Sequence, residues 1–259
     1  MPSKNVRAGR VLLELLVTLL IGMAPVTCAL VVVVWQVDKK LEATAEVALR
    51  ETLHHTDALI DTLHQASNKV LSLADFPCDK ALPTLRTEVV THSTLRSLVL
   101  VRENRAYCST VHGESQLLVN PGHYFNQRLR LEAGNDVTPD SAILYYRLQE
   151  YPFGVLALSD ARHLQQVIRA IKADVTLLLE FGDDYMAVDG IVDGSVPEHR
   201  EQHVRAMSEY GYAVHAGYPA GYTWNETLAN ARAVAPSVLL VGLLTAIAAY
   251  WAMFRQRRR

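Results

Sequence analysis

Three cysteines are the residues of this chain whose side chains could carry redox chemistry. Cys78 and Cys108 lie 30 positions apart in the central segment, whereas Cys28 lies in a long apolar run. Two thiols in an oxidising compartment form a disulfide by default, and two cysteines allow one intramolecular pairing. The pair is then either a structural cross-link, which residue type alone favours, or a redox switch. Because the two are not a Cys-x-x-Cys pair, a thiol oxidoreductase is the least favoured interpretation.

Histidine and acidic residues offer two weaker candidates for a metal site. The histidines whose spacing would let them share a metal are His54, His55, His64, His199 and His203. Solvated histidines on helices explain them better than metal ligands do. A polar loop likewise explains the Asp- and Gly-rich stretch 182–194, because its spacing does not match a calcium loop. We therefore predict no catalytic residue, no metal and no cofactor.

Two apolar runs, at 11–37 and 233–254, are each long enough to cross a bilayer as a helix, which needs about 20 residues. A cleaved signal peptide is the alternative for the first run. Its apolar core would end after about 7 to 15 residues, whereas here the apolar sequence continues through Trp35. The predicted segments are a cytoplasmic N-terminus at 1–10, a transmembrane helix at 11–37, an external domain at 38–232, a second transmembrane helix at 233–254 and a cytoplasmic tail at 255–259.

The charge distribution gives the orientation of these segments. Lys and Arg lie at the outer end of each apolar run, which predicts cytoplasmic termini. Residues 38–232 hold 26 acidic and 18 basic residues, a formal charge of −8, whereas the two ends together carry +7. An acidic domain argues against a nucleic acid partner, because phosphate binding needs clustered Lys and Arg. We therefore expect a multi-pass membrane protein whose large domain faces a periplasm-like compartment.

The elements that must position the cysteines begin with one long helix. Residues 38–74 lack Gly and Pro, and their apolar stripe predicts a helix that continues out of the first membrane span. The stripe residues are Leu41, Ala45, Ala48, Leu59, Leu63, Ala66 and Val70. They pack either on their own domain, which is favoured, or on the same helix of a second chain. Phe76-Pro77-Cys78 ends this helix, because proline disfavours the helical region for the residue before it, so Cys78 is expected at a helix-to-loop junction.

The rest of the domain alternates between helices and strands. A second helix is predicted at 82–91, with Pro83 in its first turn. Strand, turn, strand patterns predict hairpins at 97–110 and 143–158, which places Cys108 on or just beyond a strand. Further predicted elements are a helix at 161–172 and strands at 175–180, 186–188 and 212–216. Together they predict a mixed α/β domain of the Cache (PDC-like) type, a fold analogy that implies no function by itself.

One set of residues surrounds the two cysteines: Pro77-Cys78, Leu85-Arg86, Leu98-Val99-Leu100, and Tyr107-Cys108-Ser109-Thr110 with Gly113 close behind. This set resembles the CSS-motif domain, the periplasmic part of certain bacterial cyclic-di-GMP phosphodiesterases. The motif itself stands here as Cys108, Ser109 and Thr110, with threonine in place of the third serine. The resemblance implies that the periplasmic disulfide-forming machinery can oxidise Cys78 and Cys108. It also implies that the disulfide form is inactive and that free thiols favour activity and dimerisation.

The resemblance also sets the expected function. Family members usually continue after the second membrane helix into a cytoplasmic EAL domain that hydrolyses cyclic di-GMP, whereas this chain stops at Arg259. We therefore expect an inner-membrane thiol/disulfide sensor that is not an enzyme on its own and acts as a homodimer, or as a heterodimer with a full-length relative. Two alternatives stay open: a Cache-like small-molecule receptor with a structural disulfide, and a truncated cyclic-di-GMP phosphodiesterase.

Overall fold

The structure, a computed structural model, describes residues 4–133, 142–171, 174–192 and 201–255. It divides into two compact units. The first comprises Met1–Ala43 with Pro219–Arg259, and the second comprises Thr44–Tyr218. The two cysteines of the motif region both lie in the second unit, which is therefore the part of the chain that carries the candidate site.

Four α-helices are present in the described residues. Their bounds are Lys4–Leu71 (α1), Cys78–Thr91 (α2), Arg162–Ala170 (α3) and Tyr222–Tyr250 (α4). A 3-10 turn at Ser72–Asp75 follows α1, and a π turn at Trp251–Arg255 follows α4. The described stretches Leu12–Asp75 and Tyr222–Met253 each contain a window that is long and apolar enough to cross a membrane. The long N-terminal helix is thus confirmed, and α1 and α4 supply two candidate spans.

The first unit brings α1 and α4 into backbone contact through glycine. A Cβ atom added at Gly22 would lie 2.9 Å from the Cβ of Ala246 and 3.0 Å from the carbonyl oxygen of Gly242. A Cβ at Gly242 would lie 2.8 Å from the carbonyl oxygen of Gly22. Small residues at a helix crossing let the backbones approach this closely, as membrane helix pairs commonly require.

The second unit contains two antiparallel sheets. The strands of the first are Ser97–Arg102 (β1), Arg105–Ser109 (β2), Gly113–Leu118 (β3), Leu129–Glu132 (β4), Ile143–Glu150 (β5) and Phe153–Asp160 (β6), in the order β3-β2-β1-β6-β5-β4. The strands of the second are Thr176–Phe181 (β7), Asp184–Ala187 (β8), Gly190–Val192 (β9), Glu201–Met207 (β10) and Ala213–Tyr218 (β11), in the order β10-β11-β7-β8-β9. Both predicted hairpins, β1-β2 and β5-β6, are confirmed.

The stripe of α1 is buried within this chain. Each of its seven residues is at most 7 % exposed, so it packs on its own domain as favoured. Polar contacts tie the same helix to both sheets: His64 Nδ1 lies 2.9 Å from the Tyr146 hydroxyl of β5, and the Tyr212 hydroxyl donates to Asp57 at 2.8 Å. The mixed α/β class is therefore confirmed, while the Cache-type assignment stays a prediction.

Two details differ from the sequence prediction. Helix α2 begins at Cys78 rather than at residue 82, so Cys78 is the first residue of a helix and does not lie at a helix-to-loop junction. Pro77 precedes it in an extended conformation, with φ −60° and ψ 152°, and takes the N-cap position. His203, predicted on a helix, lies on strand β10. The predicted end of α3 at Lys172 lies outside the described residues.

Candidate functional site

The two cysteines of the second unit are joined in a disulfide. The Cys78 and Cys108 sulfurs lie 2.01 Å apart, and their Cα atoms are separated by 5.3 Å. The bond links the first residue of α2 to strand β2. Closing a loop of this length stabilises a folded domain by about 3 to 4 kcal/mol on the chain-entropy model. Opening this disulfide would therefore remove enough stabilisation to change the state of the domain.

Strand β2 departs from the regular alternation of side chains between the two faces of the first sheet. The pairing is irregular between Ala106 and Cys108, which marks a bulge at Tyr107. Tyr107 and Cys108 both reach the α2 side, where Tyr107 bonds to the turn before α2 and Cys108 bonds to Cys78. Ala106 and Ser109 line a cavity on the opposite face. In a regular strand adjacent side chains alternate, so the bulge is what lets Tyr107 and Cys108 work together.

Thr110 fixes the register of the motif against β1. Its Oγ1 accepts a hydrogen bond from the Leu98 backbone N at 3.2 Å and lies 2.9 Å from Ser97 Oγ. Its own backbone N donates to the Leu98 carbonyl at 3.0 Å. A serine hydroxyl at position 110 could make the same contacts, so the threonine that departs from the family motif keeps the polar role of the third serine.

A clamp of Tyr107 and Arg102 holds the segment that leads into Cys78. The Tyr107 hydroxyl donates to the carbonyls of Ala74 at 3.1 Å and Phe76 at 3.2 Å. Arg102 Nη2 donates to the same Ala74 carbonyl at 3.0 Å, and its guanidinium lies 5.0 Å from the centre of the Tyr107 ring. Burial raises the pKa of Tyr107 above its ordinary value, although the positive charge of Arg102 opposes the shift. Tyr107 thus remains a neutral hydroxyl that can donate.

The two cysteines of the disulfide differ in their surroundings. Cys108 is fully buried, whereas Cys78 is 5 % exposed. A cleft of about 550 Å³ is lined by Cys78 and by residues of the clamp, with Asp75 and Glu114 also on its wall. Cys108 is not among the residues that line the cleft. The cleft therefore borders the disulfide on the Cys78 side.

A larger cavity, of about 680 Å³, lies on the other face of the first sheet. Its wall includes apolar residues from β1, β2 and β6, and the motif residue Ser109 points into it. Two arginines, Arg96 and Arg130, also line it. The cavity belongs entirely to the Thr44–Tyr218 unit.

The residues considered above as metal ligands do not lie close together. In the described residues, no group of three or more His, Cys, Asp or Glu side chains is arranged to hold a metal. His54 and His55 are exposed neighbours on α1. His64 lies on the same helix and contacts the Tyr146 hydroxyl. Gly182, Asp183, Asp184, Asp189 and Gly190 lie in or beside the turns that join β7, β8 and β9. His199, Asp193 and Gly194 lie outside the described residues.

His203 is part of a polar cluster on the second sheet. Its Nε2 lies 3.1 Å from His215 Nδ1, and His215 Nε2 lies 2.5 Å from Glu180 Oε2. Arg205 donates to both oxygens of Glu180 at 3.1 Å. Burial lowers the pKa of His203, and the neighbouring positive charges lower it further. Strand pairing, which the sequence prediction missed here, is what brings these four residues together.

Three residues of the site were not found from sequence: Tyr107, Arg102 and Arg96. Tyr107 was noted only as a neighbour of Cys108, and its bond to the Phe76 carbonyl spans 31 positions of sequence. No local pattern marks such a contact. The available but nonspecific signal was a polar residue at the end of a strand or directly before it: Arg102 is the last residue of β1, and Arg96 directly precedes β1.

The chain matches one known family and is similar to several solved structures. A family model described as the CSS motif domain associated with EAL matches residues 41–231. A comparison with curated proteins gives no match. The chain is similar to an extracellular ligand binding receptor from Desulfohalobium retbaense, at 9% identity and a TM-score of 0.46, over 68% of this chain and 40% of that one. It is also similar to the sensor domain of the V. cholerae histidine kinase DctB, at 9% identity and a TM-score of 0.43, over 70% of this chain and 98% of that one.

Proposed function

This chain belongs to the CSS-motif domain family associated with EAL, and we propose that it is a thiol/disulfide sensor that regulates a cyclic-di-GMP phosphodiesterase. The observation that carries the proposal is the asymmetric disulfide. Cys78 lies at a cleft and Cys108 is buried, and the clamp of Tyr107 and Arg102 adjoins both. We expect a thiol reagent to reach the disulfide through this cleft without unfolding of the domain.

The proposed topology is that of a multi-pass inner-membrane protein with its sensor domain in the periplasm. Two helices long and apolar enough to cross a membrane support it. The formal charge of −8 on residues 38–232, against +7 on the two ends, supports the same orientation. In this topology the domain faces the compartment in which disulfides form and persist.

Oxidation of the reduced domain proceeds in two exchange steps. Cys78 is the first residue of α2, and the peptide dipoles at a helix N-terminus stabilise a thiolate. The Cys78 thiolate attacks a disulfide of the periplasmic oxidising machinery, forms a mixed disulfide and releases one thiolate of the oxidant. The Cys108 thiolate then attacks the Cys78 sulfur and releases the second. The domain loses two electrons, and the oxidant gains them as a dithiol that takes up the two protons.

We propose that transmission begins at the turn that follows α1. The turn Ser72–Asp75 that ends α1 is held through the Ala74 carbonyl by Tyr107 and Arg102, directly beside Cys108. Opening the disulfide removes the covalent link between β2 and α2 and leaves this turn with its hydrogen bonds alone. We propose that the reduced form changes the packing of α1 and favours a homodimer, or a heterodimer with a full-length relative.

A second candidate function is a small-molecule receptor in which the disulfide is only structural. The specific observation that favours it is the cavity of about 680 Å³ on the sheet face away from Cys108. Ligand-induced thermal shifts that survive replacement of both cysteines by serine would support this alternative.

Thiol trapping in intact cells tests the sensor proposal. A Cys28→Ser background leaves Cys78 and Cys108 as the two remaining cysteines, and their state is followed by mobility on non-reducing gels after alkylation. We expect the pair to be oxidised when the periplasmic oxidation pathway is present and reduced when it is absent. A pair that stays oxidised in both strains means a structural cross-link and contradicts the proposal. The single variants Cys78→Ser and Cys108→Ser serve as mobility standards.

A further inference from the structure

We propose that the cavity on the sheet face opposite the disulfide binds a small organic carboxylate with an apolar body, and that Arg96 recognises its charge. This inference rests on the second candidate function and deepens it by naming the class of ligand, and its test does not depend on whether the disulfide is a switch. Its volume, about 680 Å³, lies in the range of about 300 to 1,000 Å³ that small-molecule sites usually have. The residues that line the cavity indicate the class of ligand.

The floor of the cavity is apolar. Buried residues of the first sheet and its following loop form a hydrophobic cluster there, namely Val101, Ala106, Val119, Tyr124 and Leu156. Val99, Tyr145 and Leu158 pack against the same cluster. Most of these residues also line the cavity. An apolar surface of this kind selects the hydrocarbon part of a ligand, because its burial removes apolar area from water.

The charged part of the wall carries one sign. Arg96, Arg130, His112 and His123 line the cavity. The charged residues among these are Arg96 and Arg130, and none of the described residues that line the cavity is Asp or Glu. This composition is the reverse of residues 38–232 as a whole, whose formal charge is −8. Arg130 has a carboxylate partner outside the lining, since its Nη2 lies 3.0 Å from Glu132 Oε1. Arg96 is therefore the residue whose charge is left for a ligand.

Arg96 directly precedes β1 and is held by its backbone. Its N–H donates to the Leu158 carbonyl at 2.8 Å. Its side-chain Nη1 is buried and has no hydrogen-bond partner among the described residues. Asp160 is close enough to sense its charge, but the Asp160 carboxylate is held by Arg162 at 2.5 and 2.9 Å. A buried charged donor without a partner costs at least about 1 to 3 kcal/mol, and a bound anion would remove that cost.

Two buried hydroxyls lie on the same wall. Ser97 and Ser109 are 4 % and 5 % exposed, and both line the cavity. Ser109 Oγ accepts a hydrogen bond from the Val111 backbone N at 3.3 Å, which leaves its hydroxyl hydrogen available to donate. Burial raises the pKa of Tyr145 to about 12, and nearby Glu132 adds to the shift, so its hydroxyl is neutral. The Tyr145 hydroxyl is itself hydrogen-bonded to Glu132, so the wall offers the Arg96 guanidinium and the Ser109 hydroxyl as donors, a combination suited to a monoanionic carboxylate.

Calorimetric titration of the full chain in mild detergent tests the assignment. The probes are benzoate and hexanoate, with benzamide as the neutral counterpart of benzoate. We expect saturable binding of at least one carboxylate, no binding of benzamide, and at least tenfold weaker carboxylate binding by Arg96→Met. Arg50→Met is the matched control, because Arg50 is an exposed arginine on α1 paired with Glu46. It should bind the probes as the unmodified chain does.

Thermal unfolding without any ligand supplies the second measurement. Because Nη1 of Arg96 lacks a partner, Arg96→Met should unfold at the same temperature as the unmodified chain or higher. A fall of several degrees for Arg96→Met, with Arg50→Met unchanged, would show that Arg96 has a structural role and would overturn the proposal. So would the absence of saturable binding by both carboxylates, equal binding of benzamide, or carboxylate binding that Arg96→Met leaves intact.

Discussion

At the scale of single residues, the site depends on two adjacent side chains that share a face of β2. Tyr107 holds the carbonyls before α2, and Cys108 holds the first residue of α2 itself. A regular strand would have sent one of them into the cavity on the other face. The bulge at Tyr107 therefore places the disulfide next to the hydrogen bonds that hold the turn after α1.

Replacement of Tyr107 measures the strength of this coupling. Tyr107→Phe removes the hydrogen bond to the Phe76 carbonyl, while Ala74 keeps its bond from Arg102. We expect the free energy of unfolding to fall by about 1 kcal/mol, the usual net value of one hydrogen bond. Urea unfolding of the full chain in detergent gives the value. Tyr151→Phe, at a tyrosine that is 76% exposed, should leave it unchanged, and equal effects of both variants would contradict the role of Tyr107.

The asymmetry between the two sulfurs predicts different thiol reactivities. In a Cys28→Ser background, Cys108→Ser leaves Cys78 as the free thiol, and Cys78→Ser leaves Cys108. Cys78 should be alkylated at least about tenfold faster, because it lines the cleft and lies at a helix N-terminus that favours the thiolate. Alkylation by iodoacetamide followed by mass spectrometry measures both rates. Comparable rates would mean that the cleft does not control access.

Sequence reasoning reached part of this site. The pairing of Cys78 with Cys108 follows from cysteine number and compartment, and Ser109 and Thr110 follow from the family motif. The clamp did not follow from either, because Tyr107 meets the Ala74 carbonyl across 33 positions and only tertiary packing sets that contact. Arg96 was missed for the same reason.

At the scale of elements, the strands that the sequence missed share one property: they are the sheet edges. The missed strands are β3 and β4 in the first sheet and β9 and β10 in the second. An edge strand pairs on one side only and is often polar, which weakens the alternation by which strands are recognised. β3 illustrates this, since its last three residues are all exposed. The interior strands were all predicted, and most of them are largely buried, although β8 has only one buried residue of four.

Helix α2 was predicted four residues too short because Pro83 was placed in its first turn. Pro83 is instead the sixth residue of the helix, where it cannot donate a hydrogen bond to the carbonyl four residues before it. The helix tolerates this loss while packing through Ala81 and Leu85, which are both fully buried. Local sequence preference was thus overridden by burial.

A buried carboxylate joins α2 to α1 and predicts how stability depends on pH. Glu88 is 3 % exposed, and its oxygens lie 2.5 Å from Lys69 Nζ and 3.0 Å from His92 Nε2. Burial alone would raise its pKa, but the hydrogen bonds from Lys69 and His92 outweigh this and hold the pKa below the ordinary value of 4.5. A carboxylate with a lowered pKa stabilises the fold fully above its unfolded-state pKa. That contribution is lost as the pH falls through the folded-state pKa.

Glu88→Gln tests this dependence. The variant should be less stable than the unmodified chain at neutral pH, by about 2 kcal/mol for hydrogen bonds to a charged group. The difference should shrink as the pH falls below 4.5. Thermal unfolding across this pH range is the measurement, and Glu51→Gln, at an exposed glutamate of α1, is the control. A difference that is constant with pH would contradict the role assigned to the Glu88 charge.

At the scale of the whole molecule, hydropathy predicted the two candidate membrane spans, while the orientation inferred from charge stays a prediction. The apolar run 11–37 lies within α1, and the run 233–254 begins in α4 and extends into the π turn that follows it. Both regions contain a window long and apolar enough to cross a membrane. The family match over residues 41–231 falls largely between those runs. Composition acts over long segments and is insensitive to single contacts, which is why these features could be predicted from sequence.

Reporter fusions test the proposed orientation. Alkaline phosphatase fused after Leu71 should be active, because residues 38–232 are proposed to be periplasmic and the enzyme needs an oxidising compartment. The same enzyme fused after Arg259 should be inactive, and green fluorescent protein at that position should fluoresce. Both fusion sites giving active phosphatase would contradict the topology.

Strand β2 is a wall only one backbone thick between the disulfide and the carboxylate cavity. Cys108 and Ser109, joined by one peptide bond, face its two sides. If opening the disulfide shifts this peptide, the position of Ser109 in the cavity wall changes directly, with no intermediate residues. If both proposed sites operate, the domain would act as a coincidence detector whose two inputs, the redox state of the disulfide and a bound carboxylate, converge on one strand.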